Sequence, residues 1–73
     1  MYAESFAQKL AQARKDAGYT QRQVAEILKM SKSTIASYET GRTEPDIETI
    51  GRLADFYEVA TDWLIGTKGG KKT

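Results

Sequence analysis

The side chains of this chain that could do chemistry are mainly hydroxyls, basic groups and carboxylates, and four hydroxyls and a lysine occur together between residues 31 and 37. Lys32 is a cationic donor, and the hydroxyls of Ser33 and Ser37 can both donate and accept hydrogen bonds. The chain has no cysteine and no histidine. It therefore lacks thiolate metal ligands, the commonest nitrogen ligand and the usual general base near neutral pH. We predict a binding surface rather than an enzyme, with no metal and no cofactor.

The net charge of +1 is unevenly distributed along the 73 residues. Residues 21–43 hold four basic side chains against two carboxylates, whereas residues 44–67 hold six carboxylates against one arginine. This asymmetry suggests one surface made for a polyanion and another that avoids it. Ordinary solvated helix faces would explain the same distribution equally well.

The length is that of one domain. No apolar run approaches the roughly 20 residues that span a bilayer, and the first five residues do not resemble a secretory signal. Without disulfides a reducing cytoplasm is the simplest setting. The sequence therefore predicts a single cytoplasmic domain with no membrane segment.

Five segments show the apolar spacing of amphipathic helices, and none shows the alternation of strands. We predict that Ser5, Thr20, Ser31, Asp46 and Thr61 cap these helices, and that glycine ends three of them. The residues expected to face inward are Phe6, Leu10, Ala13, Ala17, Val24, Ala25, Leu28, Ile35, Tyr38, Ile47, Ile50, Leu53, Ala54 and Tyr57, and the short fifth helix includes Trp63 and Leu64. The predicted fold is all-α, a compact five-helix domain over residues 1–66, followed by a flexible basic tail over residues 67–73.

The second and third predicted helices are short, and a turn of about three residues joins them. Met30 can fill the angle between them, and the small side chain of Ala25 allows close approach. Helices joined this tightly cross at a steep angle, so the N-terminus of the second projects outward. This is the geometry of a helix-turn-helix, whose second helix fits the major groove of DNA.

The sequence resembles the phage repressor and Cro-like helix-turn-helix family, also called the XRE family, over about residues 6–66. The matching residues are Leu10, Arg14, Gly18, Thr20, Gln21, Val24, Ala25, Leu28, Met30, Ser31, Ile35, Glu39, Gly41, Pro45, Leu53, Ala54, Val59, Trp63 and Leu64. Any one of them is weak, but the ordered set with its spacings is specific. The resemblance implies a lambda-repressor-like domain whose partner is double-stranded DNA.

The resemblance also implies which residues contact bases. Lys32, Ser33, Ala36 and Ser37 share the outer face of the third helix, and the equivalents of Lys32, Ser33 and Ser37 read base edges in the family. Lys32 could donate to guanine O6 or N7, a contact that discriminates by about 1–3 kcal/mol. It could equally be a solvated lysine. Relatives carry Gln, Arg or Asn at these positions, so the short side chains here predict weaker discrimination.

Four further residues are expected to contact phosphates. Thr20 and Gln21 open the second helix, where free backbone N–H groups can hold an anion. Gln21 could instead serve only in capping. Thr34 points toward one wall of the groove, and Arg42 follows the third helix. We expect Arg42 to make the largest electrostatic contribution, and Lys9, Arg22 and Lys29 to be mainly solubilising charges.

Two other roles are implied by the family pattern. Arg14 and Glu39 are expected to form a partly buried ion pair that orients the third helix. Trp63 and Ile65 are expected to form a homodimer interface, because one reading helix covers only about 4–5 base pairs. The alternative is that Trp63 only closes the core. Tyr19, Tyr38, Phe56 and Tyr57 are interpreted as packing residues.

The predicted function is that of a transcriptional regulator, in the first instance a repressor, bound as a dimer to an inverted repeat. The alternative is an antitoxin or restriction-modification controller that binds DNA together with a protein partner. An interaction module that does not bind DNA is a further possibility. A small hydrolase or metal enzyme has little support from these residues.

Overall fold

The computed structural model describes the backbone of residues 4–65 and the side chains of residues 6–65. This part of the chain forms five helices and no strand, which confirms the all-α prediction. The helices are α1 (Glu4–Ala17), α2 (Gln21–Leu28), α3 (Lys32–Thr40), α4 (Ile47–Tyr57) and α5 (Thr61–Ile65). None of them is long and apolar enough to cross a bilayer. The predicted stop at Gly66 and the predicted tail lie outside the described residues.

Side-chain caps begin the three middle helices, as predicted. The Thr20 hydroxyl accepts from the backbone N–H of Gln23, whose side chain accepts from the Thr20 N–H in return, forming a complete capping box. Ser31 caps α3 by accepting from the N–H of Thr34 at 3.0 Å. Asp46 caps α4 by accepting from the N–H of Thr49 at 2.8 Å.

Two helices begin earlier than their predicted caps imply, α1 by two residues and α5 by one. Helix α1 already includes Glu4, so Ser5 lies inside its first turn; an acidic residue is favoured there by the positive end of the helix dipole. Thr61 is likewise helical, and the first hydrogen bond of α5 runs from the Leu64 N–H to the carbonyl of Ala60. Propensity alone places a helix end only to within a residue or two.

Left-handed residues end the first four helices. Gly18 and Gly41 do so after α1 and α3, with φ of 86° and 80°. Lys29 and Glu58 adopt the same conformation after α2 and α4, with φ of 61° and 59°. A side chain makes this conformation costly, so tertiary contacts must hold these two turns in place.

The core lies where α1 meets α3, α4 and α5. Its side chains, each at most 7% exposed, are Phe6, Leu10, Ala13, Val24, Ala25, Ile35, Ile50, Leu53, Ala54, Tyr57 and Leu64. Tyr19, Tyr38 and Phe56 pack against its edge, as interpreted from the sequence.

The prediction that Ile47 faces inward is wrong, because its side chain is 78% exposed. Its spacing from Ile50 fits the buried stripe, but the first turn of α4 extends past the body of the domain. Pro45, two residues earlier, is buried instead. Ala17 is also exposed, since it lies in the last turn of α1.

One ion pair joins α1 to the end of α3. The Arg14 guanidinium donates to both carboxylate oxygens of Glu39, at 2.8 Å from Nε and 3.1 Å from Nη2. The two side chains are 12% and 4% exposed. The hydrogen bond to Glu39 raises the pKa of Arg14 above its usual value, so the arginine is charged at any ordinary pH.

The same pair also holds the loop before α2 and the start of α2. Arg14 Nη1 donates to the backbone carbonyl of Tyr19 at 2.8 Å. Gln21 Nε2 donates to Glu39 Oε1 at 3.0 Å. These bonds connect α1, α2 and α3 through two charged side chains, and they fix the position of α3 relative to the other two helices.

The hydroxyl of Tyr57 is buried near this pair and has no hydrogen-bond partner among the described residues. The residue is 7% exposed. Burial, and secondarily the negative charge of Glu39, raise the pKa of the Tyr57 phenol to about 12. The ring contributes to the core, whereas the hydroxyl carries a desolvation cost that no bond offsets.

Replacing Glu39 with glutamine should lower the free energy of unfolding by about 3 kcal/mol, because the Arg14 charge would remain buried without its counter-charge. Urea denaturation followed by circular dichroism would measure this loss. The matched control is Glu26→Gln, the same change at an exposed carboxylate on α2. Its effect should stay within about 0.5 kcal/mol. Equal effects from the two variants would show that the ion pair does not stabilise the fold.

Replacing Tyr57 with phenylalanine should raise the free energy of unfolding by about 1 kcal/mol at pH 7, because it removes an unpaired buried hydroxyl. Folding raises this pKa from 10.0 to about 12, so the stability linked to the protonated phenol is complete below pH 10 and is lost as the pH rises through about 12. Tyr57→Phe should therefore lose less stability than the wild type over that range. Denaturation at a series of pH values would check both effects, with Tyr19→Phe as the control. A destabilised Tyr57→Phe protein at pH 7 would contradict the interpretation.

Candidate nucleic-acid interface

The turn between α2 and α3 consists of Lys29, Met30 and Ser31, the length that the sequence predicts. Lys29 reverses the chain in the left-handed conformation, and the Met30 N–H donates to the carbonyl of Ala25 at 2.8 Å. The Met30 side chain packs against the core. Ser31 then starts α3 at once, so the angle between α2 and α3 is set within three residues.

The outer face of α3 contains the four residues predicted to contact bases. Lys32 and Ser33 are exposed, and Ala36 and Ser37 are partly exposed. On the opposite face Ile35 is 1% exposed and Tyr38 packs against the core. The outer face is therefore open, and its side chains are available to a molecule outside the domain.

An open depression of about 410 Å³ lies along this face. It is lined by Ser33, Ala36, Ser37, Thr40 and Arg42. Arg42 thus lies beside the predicted base-contacting residues, and its backbone N–H donates to the Ser37 carbonyl at 3.0 Å. A side chain from this position could meet either a phosphate or the end of a base pair.

The charge on this face is positive. Glu39 is the one carboxylate of α3, and its pairing with Arg14 leaves its side chain only 4% exposed. Lys32 and Arg42 are both exposed. With its carboxylate withdrawn, α3 presents no accessible negative charge to a polyanion.

Gln21 stands at the start of α2 with its side-chain amide already engaged. Its Nε2 donates to Glu39, so that nitrogen retains one N–H and the oxygen retains its lone pairs. The backbone N–H groups of a first helical turn have no partner within the helix. The sequence identified Gln21 as a phosphate-contacting or capping residue and missed its contact with Glu39, which depends on packing between helices distant in sequence.

The hydroxyls of Thr20 and Thr34 each take part in one hydrogen bond, and each can form a further one. The Thr20 hydroxyl accepts from the Gln23 N–H, so its own proton is available. The hydroxyls of Thr34 and Ser31 lie 2.8 Å apart, and either could be the donor. When Ser31 donates, the Thr34 hydroxyl can donate to a phosphate. Phosphate contact by these residues stays a prediction.

The residues predicted to form a dimer interface lie on α5. Trp63 is 42% exposed, and Ile65 is partly buried against the core. Lys9 Nζ donates to the Trp63 carbonyl at 2.9 Å and lies 5.3 Å from the centre of its ring. Lys9, interpreted from the sequence as mainly a solubilising charge, therefore also ties α1 to α5.

Within residues 6–65 no group of three or more acidic side chains is placed to hold a metal ion. Two of the described carboxylates have structural roles instead. Asp46 caps α4, and its hydrogen bonds to Thr49 hold the pKa of its carboxyl below the usual value. Glu39 is part of the ion pair.

Known proteins match this fold and this site. Residues 10–64 match the sequence model of the helix-turn-helix family. The chain is 39% identical over 62 residues to the HTH-type transcriptional regulator ImmR of Bacillus subtilis strain 168, a match that covers 85% of this chain and 49% of ImmR. It is 34% identical over 65 residues to the HTH-type transcriptional regulator AnsR of the same organism, covering 89% of this chain and 56% of AnsR.

A solved structure shows the same architecture. The crystal structure of a transcriptional regulator from Listeria innocua superposes with a TM-score of 0.78 and 35% identity, covering 93% of this chain and 62% of that one. The chain spans about half the length of the curated relatives it matches. The family match covers most of the chain and includes α2, α3 and the three-residue turn between them. This chain belongs to the helix-turn-helix family.

Proposed function

We propose that this chain is the DNA-binding part of a transcriptional regulator, which places α3 in the major groove of an operator. The observation that carries the proposal is the open outer face of α3. Its short polar side chains point away from the core, and its one carboxylate is turned inward to Arg14. The similarity to proteins named HTH-type transcriptional regulators supports the same role.

Contacts to DNA divide by position in this proposal. Lys32, Ser33, Ala36 and Ser37 meet base edges, while the start of α2 and the Arg42 side chain meet phosphates. Phosphate contacts hold the domain in register, and base contacts distinguish sequences. Among the four base-contacting side chains only Lys32 is long, so discrimination between sequences is modest for a single domain.

A second copy of the chain would supply the missing discrimination. A pair of domains related by two-fold symmetry reads two half-sites about one helical turn apart, roughly 34 Å. The exposed ring of Trp63, held by Lys9, offers an apolar surface for such a contact. Occupying a promoter in this way would make the protein a repressor. For this role the protein must share a compartment with the DNA, which for a chain without cysteine fits the reducing cytoplasm.

The experiment that tests the proposal is selection of bound duplexes from a random pool, followed by footprinting. We expect enrichment of an inverted repeat with protected half-sites about one turn apart. Binding should weaken steeply with salt, because each phosphate neutralised adds about 0.9 to the salt slope. A pool from which no duplex is enriched, together with no binding to any duplex at about 50 mM salt, would refute DNA binding.

On the selected duplex, Lys32→Ala and Arg42→Ala should have different effects. Lys32→Ala should relax the preference at one position per half-site, at a cost of about 1–3 kcal/mol for the preferred base. Arg42→Ala should weaken all duplexes alike and lower the salt slope by about 1 per domain. Fluorescence anisotropy at several salt concentrations would measure both. Lys15→Ala is the control, since it removes an exposed lysine from the last turn of α1. A change of base preference in Arg42→Ala would mean that Arg42 reads bases.

Self-association should depend on Trp63. Sedimentation velocity over a range of concentrations should show dimers of the wild-type chain, and Trp63→Ala should shift the distribution to monomers because the apolar contact area is removed. Ile27→Ala is the matched control, because Ile27 is a similarly exposed apolar residue on α2. If Ile27→Ala and Trp63→Ala behave alike, α5 is not the interface.

A further inference from the structure

Apart from Lys32, the side chains on the outer face of α3 are small. Ser33, Ala36, Ser37 and Thr40 line the depression of about 410 Å³, with Arg42 at its edge. No side chain of the described residues hydrogen-bonds to the hydroxyls of Ser33 and Ser37. The depression is large enough to admit the edge of a base pair, and it is not filled by the protein itself.

The chemistry of this lining selects among base edges. The side chains of its lining residues carry methyl groups (Ala36 and Thr40), hydroxyls (Ser33, Ser37 and Thr40) and a guanidinium (Arg42). The N4 amine of cytosine could donate to the hydroxyl of Ser33 or Ser37, but the major-groove edge of cytosine carries no methyl group to pack on Ala36. Guanine offers acceptors to the donors but nothing apolar. Thymine alone offers both an acceptor, O4, and an apolar C5-methyl group.

We propose that this depression receives the major-groove edge of a thymine, so that Ala36 is the residue that determines specificity for it. The proposal rests on the DNA binding proposed above. The C5-methyl group packs on the Ala36 methyl, and the thymine O4 accepts from the hydroxyl of Ser37. Specificity then comes from the shape of the depression, which only a small side chain at position 36 leaves open.

The test replaces each thymine of the selected duplex by deoxyuridine, which lacks the C5-methyl group and is otherwise the same. At one or two positions per half-site the wild-type chain should bind about fourfold more weakly, the effect of exposing one methyl-sized group. The affinities of Ala36→Gly for the thymine and deoxyuridine duplexes should lie within about 1.5-fold of each other, because this variant lacks the methyl group that contacts the thymine methyl. Ala11→Gly, which carries the same loss of helix propensity on α1, should keep the fourfold difference.

Three results would overturn the proposal. If the unmodified duplex binds and no deoxyuridine changes its affinity, the depression does not read a methyl group, while DNA binding stands. If Ala36→Gly keeps the fourfold difference, another residue makes the contact. If exchanging the sensitive T·A pair for a 5-methylcytosine·G pair leaves affinity unchanged, the methyl group is read without O4 and thymine is not the ligand. Failure to select any duplex would remove the proposed function as well.

Discussion

The bidentate contact between Arg14 and Glu39 holds together the parts of the molecule on which DNA reading would depend. Through it α1 fixes the C-terminal half of α3, and the remaining bonds of the two side chains reach Tyr19 and Gln21. The pair also determines the charge of the surface, because it takes the carboxylate of α3 out of contact with solvent. One interaction thus serves both the orientation of α3 and the absence of negative charge on its outer face.

Much of this arrangement could be predicted from the sequence, since the signals involved are local. The capping box of Thr20 and Gln23, the caps at Ser31 and Asp46, and the glycine at position 41 act within one turn of a helix. The remaining features depend on which helix packs against which. Two bonds, from Gln21 to Glu39 and from Lys9 to Trp63, join segments far apart in the chain. The exposure of Ile47 depends on which helices pack around α4. Periodicity and capping contain no information about such contacts.

The small residues on the outer face of α3 and the long residues behind it have complementary roles. Ile35 and Tyr38 anchor the helix to the core, and the short side chains opposite leave the backbone of α3 free to approach a partner closely. A helix with long polar side chains would reach further into a groove but would lose more rotamer entropy on binding. The short side chains of this face reach less far into a groove, but they have few rotamers to lose on binding.

The left-handed conformation of Lys29 has a consequence for how the domain folds. This conformation costs free energy for a residue with a side chain. Helices of eight and nine residues, the lengths of α2 and α3, are unstable alone. The bend between α2 and α3 therefore depends on its neighbours: α1 packs against α3, and Arg52 of α4 donates to the carbonyl of Leu28 at 2.9 Å. Partial unfolding would not leave a smaller, weaker reader of DNA behind, so the ability to recognise an operator should appear and vanish together with the entire tertiary structure.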